Sequence, residues 1–200
     1  ILRKRIRKLN IWIFVCTFIG ASLFTLAVDF VFENVLEPHQ KDRIEVLLGK
    51  KEDFKGVGYN VNQSKIAIGS GGVLGKGFLN GTQTKFNFVP EQDTDFIFCT
   101  IGEEWGFIGS SLTIILFIVL CTKLIKMAER QRSKFARIYG YSVASIIFFH
   151  FFINIGMTIG LLPVIGIPLP FISYGGSSLW AFTFLLFIFI KQDALRQELI

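Results

Sequence analysis

Val89-Pro-Glu-Gln-Asp-Thr-Asp-Phe-Ile-Phe98 sets three carboxylates, Glu91, Asp93 and Asp95, within five positions and then runs straight into an apolar segment. That segment continues from about Phe96 to Cys121, interrupted only by Glu103 and Glu104. A bilayer core about 30 Å thick needs roughly 20 apolar residues in a helix, so this stretch is long enough to span. The acidic turn therefore opens a membrane helix. Just upstream lie two glycine clusters, Gly69-Ser-Gly-Gly72 and Gly75-Lys-Gly77. Acid groups, flexible backbone and lysines thus meet at the mouth of a hydrophobic helix, an arrangement suited to chemistry on a charged head group whose tail sits in lipid.

Three further stretches qualify as spans, at about 11–32, 138–162 and 171–190. The bulk composition agrees: the 200 residues are 52% hydrophobic and include 23 phenylalanines, too apolar for an ordinary soluble domain. The net charge of +6 would suit nucleic acid, but the cations flank apolar runs, which is a topology signal instead. Basic residues precede the first span, six (Lys123, Lys126, Arg130, Arg132, Lys134, Arg137) separate the second and third, and Lys191 and Arg196 follow the fourth. Those ends are expected in the cytoplasm. The loop of about 33–95 and the Pro- and Gly-rich turn of 162–178 are then expected outside. A signal peptide is disfavoured, because no small-residue cleavage site follows the first apolar run. The start at Ile1, running directly into Arg3, Lys4 and Arg5, reads as a piece of a longer chain. Cys16, Cys99 and Cys121 lie far apart in apolar runs without metal-ligand spacing and read as packing residues.

The expected fold is an all-α membrane protein: four transmembrane helices of a larger polytopic bundle, with a long extracytoplasmic loop between the first two. Apolar residues recur throughout that loop, which argues for order. Residues 44–48 suit a short amphipathic helix, and 61–68 suit an interfacial segment with Ile66, Ala67 and Ile68 turned inward.

Several side chains carry candidate chemistry. Asp95 reads either as a helix cap, as a carboxylate whose proton affinity is raised by partial burial toward that of a general base, or as an oxygen ligand for a divalent cation such as Mg or Mn. Glu103 and Glu104 lie about 12 Å further along the helix at 1.5 Å per residue. Carboxylates at such depth face a bundle interior or wet cavity, or snorkel outward. They point about 100° apart, so one is expected inward and the other toward a partner or the interface. Asp29 reads as a partner for a lysine or as a functional group. The backbone around Gly71 and Gly72 could form nests for phosphate oxygens, with Lys65, Lys76 and Lys85 adding cations; the same glycines also simply permit turns. The pattern is not a P-loop, since the Gly-Lys-Ser/Thr ending is missing. Ser173, Tyr174, Ser177 and Ser178 either line a wet cavity or satisfy backbone in an irregular turn. Asn154 is open in the same way. His150 reads as packed and His39 as loop surface.

Six motifs together resemble one family: His39-Gln-Lys-Asp-Arg-Ile44, Gly58-Tyr-Asn-Val-Asn-Gln-Ser64, Ile66-Ala-Ile-Gly-Ser-Gly-Gly72, Pro90-Glu-Gln-Asp-Thr-Asp-Phe96, Gly102-Glu-Glu104 with Gly106, and the 154–178 signature. They match, in order, the C-terminal half of the SEDS family, which comprises RodA, FtsW and a sporulation relative. Gly75-Lys-Gly-Phe-Leu-Asn-Gly-Thr-Gln83 resembles the RodA branch more than the FtsW branch. The family often carries histidine where this chain has Asp93.

The resemblance implies a peptidoglycan glycosyltransferase of the bacterial cytoplasmic membrane, polymerising lipid II at the outer face during elongation and rod-shape maintenance. It implies a polyprenyl-pyrophosphate-linked glycan as donor, a class B penicillin-binding protein as partner and no nucleic acid. By motif match Asp95 takes the place of the family's essential loop aspartate. Lys65, Lys76 and Lys85 with the Gly71 and Gly72 amides would offset pyrophosphate charge, while Glu103, Ser173 and Ser177 would complete the substrate site. The family has about ten spans against four here, so the activity is expected of the longer protein. A division-type polymerase, a lipid II flippase and a non-catalytic scaffold are the rival readings.

Overall fold

The computed structural model describes residues 16–24, 27–28, 30–32, 34–49 and 56–198, and those residues form helices and turns. The chain divides into two compact units, Ile1–Glu45 and Val46–Ile200. In the first, residues 16–24 are helical with Phe18, Leu23 and Phe24 exposed. The rest of the expected first span's charged features, Asp29 and the basic start, lie outside the described residues. Helix α1 covers Pro38–Leu47. Proline suits the first turn, where its missing N–H would be unsatisfied anyway. The helix expected at 44–48 is thus real but begins earlier.

Helix α2 runs Val57–Ser70, and a short α3 covers Thr82–Lys85. Ala67 is fully buried and Ile68 half-buried, but Ile66 is 51% exposed, which corrects the expectation that all three turn inward. Consecutive helical residues diverge by 100°, so three in a row span about 200° and cannot all share one buried face.

Among the described residues, three helices are long and apolar enough to cross a membrane: α4 (Ile97–Glu129), α5 (Lys134–Thr158) and α6 (Gly176–Glu198, of which Gly176–Leu195 is the candidate span). On α4, Phe117, Cys121, Leu124 and Ala128 recur every three or four residues and form one buried stripe. It meets Val143, Ala144, Ile147, Phe151 and Ile155 of α5, with the Phe117 and Phe151 rings stacked at 4.8 Å. A side chain at Gly140 would collide with the Phe189 ring, so that glycine sets how closely α5 and α6 approach. Burial raises no demand on the opposite faces, where Leu116, Phe149, Phe152, Phe184 and Phe187 are more than half exposed. Such continuous apolar exposure suits lipid rather than water. Beyond the α4–α5 turn, Asp193 of α6 accepts from Arg130 and, at 2.7 Å, from the Gln131 amide, tying the helix ends together.

Helix α4 is broken at Gly106, whose backbone (φ 63°, ψ −156°) is open to glycine alone. The break frees carbonyls on one side and amides on the other. The glycine-rich loop supplies both kinds of partner. Lys76 and Gly77 amides donate to the Glu103 and Glu104 carbonyls at 3.0 and 2.9 Å. Phe107 and Ile108 amides donate to the Gly72 and Val73 carbonyls at 2.9 and 3.2 Å. The loop thus replaces the missing helical turn, and a Cβ at Gly71 or Gly75 would strike the Gly102 or Glu104 carbonyl.

Candidate active site

The turn before α4 carries Asp95. The Glu91 carbonyl accepts from the Thr94, Asp95 and Phe96 amides at 3.3, 3.0 and 3.2 Å, closing the turn. Val89 and Phe96, each 1% exposed, anchor its ends. Gln92 donates from one amide nitrogen to the Thr84 carbonyl (2.9 Å) and to Asn87 Oδ1 (2.8 Å), pinning the turn to α3. From the other side, the Tyr174 amide donates to the Asp93 carbonyl at 2.8 Å. Asn154 Nδ2 donates to both the Asp95 and Ile167 carbonyls, each at 2.8 Å. The acidic turn is therefore docked on the irregular segment between α5 and α6.

The Asp95 carboxylate does not cap α4: Phe96 occupies the cap position and no side chain bonds a free amide there. Instead it lies over Gly166, where a Cβ would be 3.1 Å from Oδ2. It is half-buried, while Glu91 and Asp93 are exposed. Burial holds its carboxyl above the ordinary value near 3.8, and the neighbouring Glu91 charge raises it further. A half-buried carboxylate with raised proton affinity and no capping duty is equipped to accept a proton.

Glu103 has a different setting. Its side chain is fully buried and sits 2.7 Å from Lys76 Nζ. It also accepts from the Gln83 and Thr84 amides at 2.9 Å each and from the Thr82 hydroxyl at 3.3 Å. The carboxylate thus caps α3 from a distant helix and holds the loop down. Glu104 is also buried, at 8% exposure, so of the two outcomes expected for the pair, a partner or the interface, it is a partner that is found, Lys76 on Glu103. The loop that bridges Gly106 covers both.

The predicted substrate residues are not all brought together. Lys76 is committed to Glu103. The nest expected at Gly71 and Gly72 is corrected too: their amides donate to the Ile68 and Gly69 carbonyls, because the loop is wound as a continuation of α2. Lys65 is exposed, its ammonium packed beside Gly160 at the end of α5. Lys85 and Ser177 are exposed. Ser173 is buried and accepts from the Leu169 amide at 2.8 Å, stabilising the turn. His150 packs edge-on against Phe182, as expected. Sequence reasoning left Gly166 and Gln92 unassigned; the only signal for Gly166 is its place between prolines. No group of three or more His, Cys, Asp or Glu side chains placed to hold a metal ion occurs among the described residues.

Two adjoining apolar grooves flank this end of the bundle. One of about 410 Å³ is lined by residues including Phe151, Gly156 and Leu162, the other of about 300 Å³ by Ile68, Phe98 and Gly106 among others. They share Ile114, Ile155 and Ile159.

Comparison with known proteins settles the family. The model of the FtsW/RodA/SpoVE family, described as cell cycle protein, matches residues 6–197. The chain belongs to this family. Curated relatives include the peptidoglycan glycosyltransferase MrdB of Escherichia coli K12, 45% identical over 163 residues, covering 80% of this chain and 44% of that protein. The peptidoglycan glycosyltransferase RodA of Treponema pallidum is 37% identical over 174 residues, covering 87% of this chain and 40% of that protein. A solved chain of a peptidoglycan synthase complex superposes with a TM-score of 0.69 at 27% identity, covering 90% of this chain and 48% of that one. The chain spans less than half the length of each of these relatives. Membership and the apolar helices together make this a multi-pass bacterial membrane protein.

Proposed function

We propose that this chain carries the acceptor-activating portion of a peptidoglycan glycosyltransferase that polymerises lipid II at the outer face of the cytoplasmic membrane during elongation. One observation carries the reading: Asp95 is half-buried, held by its backbone from two sides, and its carboxylate is left free of capping. Asp95 accepts the proton of the sugar hydroxyl on incoming lipid II as that oxygen attacks the anomeric carbon of the growing glycan. Polyprenyl pyrophosphate departs from the donor. Lys65 and Lys85, both exposed and on the loop side, are the cations left to offset its charge. The shared apolar groove offers room for a polyprenyl tail entering sideways from lipid. Lys76 and Glu103 serve this site as scaffold.

In this reading the chain has four spans, the loop of about 33–95 faces outward and the cation-rich α4–α5 turn lies in the cytoplasm. A class B penicillin-binding protein crosslinks the product. The name of the solved neighbour, a peptidoglycan synthase complex, supports such a partnership. No step is assigned to a divalent cation.

Asp95→Ala in the full-length protein is expected to abolish polymerisation of purified lipid II in detergent while the protein still folds. A normal polymer yield refutes the assignment. Transport is the second reading, because broken helices also occur in transporters. Detergent removes the two sides of the membrane, so polymer made there cannot come from a flippase.

A further inference from the structure

Asn154 sits one turn from the end of α5 and is fully buried. Its amide nitrogen bridges two carbonyls from different elements, Asp95 at the head of α4 and Ile167 in the α5–α6 segment, at 2.8 Å each. Only the nitrogen suits that place, because both partners are acceptors. The orientation leaves Oδ1 buried without a hydrogen-bond partner. Native interiors rarely strand a polar atom in this way, and such an atom calls for a reason. An apolar side chain would fill the space and strand no oxygen of its own, but it would take the donor from both carbonyls, so it is the bridge and not packing that asparagine serves.

What the bridge fixes is the spacing between Asp95 and the residue beside Ile167, Gly166. Gly166 is at φ +80°, and a Cβ there would stand 3.1 Å from Asp95 Oδ2. The Asp95 carboxylate therefore lies on bare backbone, and the Asn154 bonds to the Asp95 carbonyl and to the Ile167 carbonyl, one residue beyond Gly166, hold the two segments in that register. The Tyr174 amide bond to the Asp93 carbonyl secures the same turn two residues away but does not touch Asp95.

We propose that Asn154 is a positioning residue for the transfer reaction: by joining the Asp95 and Ile167 carbonyls it registers the Asp95 carboxylate over Gly166, where the acceptor hydroxyl is met. The inference rests on the reading of Asp95 as the base and extends it to a residue that touches no substrate. Displacing a reacting group by about 1 Å costs on the order of a hundredfold in rate.

The test uses the full-length protein with steady-state lipid II polymerisation, well below the unfolding transition. Asn154→Ala is expected to lower kcat by roughly a hundredfold with KM for lipid II changed less than about threefold. Gly166→Ala leaves Asn154 in place, pushes on the carboxylate and strains a left-handed backbone; the same split per folded molecule is expected, and it serves if the Asn154 variant fails to fold. A structural role alone would lower the thermal midpoint and leave kcat per folded molecule unchanged. Wild-type kcat in either folded variant, or a loss confined to KM, overturns the proposal. Asp95→Ala, run beside them, separates the two readings. If it retains activity, the base assignment falls. If it is dead while folded Asn154→Ala turns over normally, only the positioning role falls.

Discussion

Lys76→Met tests whether the buried glutamate holds the glycine-rich loop in place. Lys76 Nζ lies 2.7 Å from Glu103 Oε1, with side chains 26% and 0% exposed. Methionine keeps most of the stem's volume and removes the charge. Glu103 is then a buried carboxylate holding only the Gln83 and Thr84 amides and weaker hydroxyl contacts. Removing one partner of a buried pair costs about 3–5 kcal/mol. The two amides remain, so the lower end, about 3 kcal/mol, is expected. That corresponds to roughly a hundredfold rise in the open population of the loop. Limited proteolysis between Gly77 and Val89 reports that population directly when opening and closing outpace cleavage. Glu103→Ala should raise cleavage as well, because it strands two amides. The double variant should fall well short of the product of the two, since one contact cannot be lost twice. If Lys76→Met is cleaved at the wild-type rate, the pair does not secure the loop and the scaffold assignment fails.

Glu91→Gln removes the neighbouring charge that raises the Asp95 proton affinity. The acid limb of the pH–rate profile of the full-length enzyme should therefore move to lower pH; a shift upward or none contradicts the electrostatic account. Asp95 binds its proton more tightly folded than at its unfolded value near 3.8, so its contribution to stability is fullest below that value and is lost as pH rises through the folded value. At neutral pH, Asp95→Asn should accordingly match or exceed the wild-type thermal midpoint while polymerising nothing, and a clear drop in midpoint would contradict this. Gly106→Ala should cost about 1–3 kcal/mol, measured by thermal unfolding, because the methyl meets the Val73 carbonyl and the backbone is left-handed.

Three of the four expected spans were legible because twenty-residue apolar runs leave few alternatives, and α4, α5 and α6 lie where composition places them. Asp95 was legible as one acid among three at a helix mouth, and burial separated it from Glu91 and Asp93. The glycine clusters misled. Their amides are satisfied within the chain, since a loop crossing a broken helix needs close backbone approach just as an anion site does. Nothing in a linear sequence tells those two uses of glycine apart. Lys76 was misjudged for a related reason: its partner Glu103 is 27 residues away, and only the fold brings them within reach. Asn154 was visible as a polar residue in an apolar span, but its two acceptors belong to segments whose meeting depends on the whole bundle.

The main-chain bonds across Gly106 also constrain biogenesis. A helix that completes its ladder with carbonyls and amides from residues 72–77 cannot be finished inside the insertion machinery from its own sequence. The preceding segment must first fold back against it. Assembly of this end of the protein is thus a late event: until residues 72–77 pack against α4, the amides and carbonyls freed at Gly106 stay unpaired.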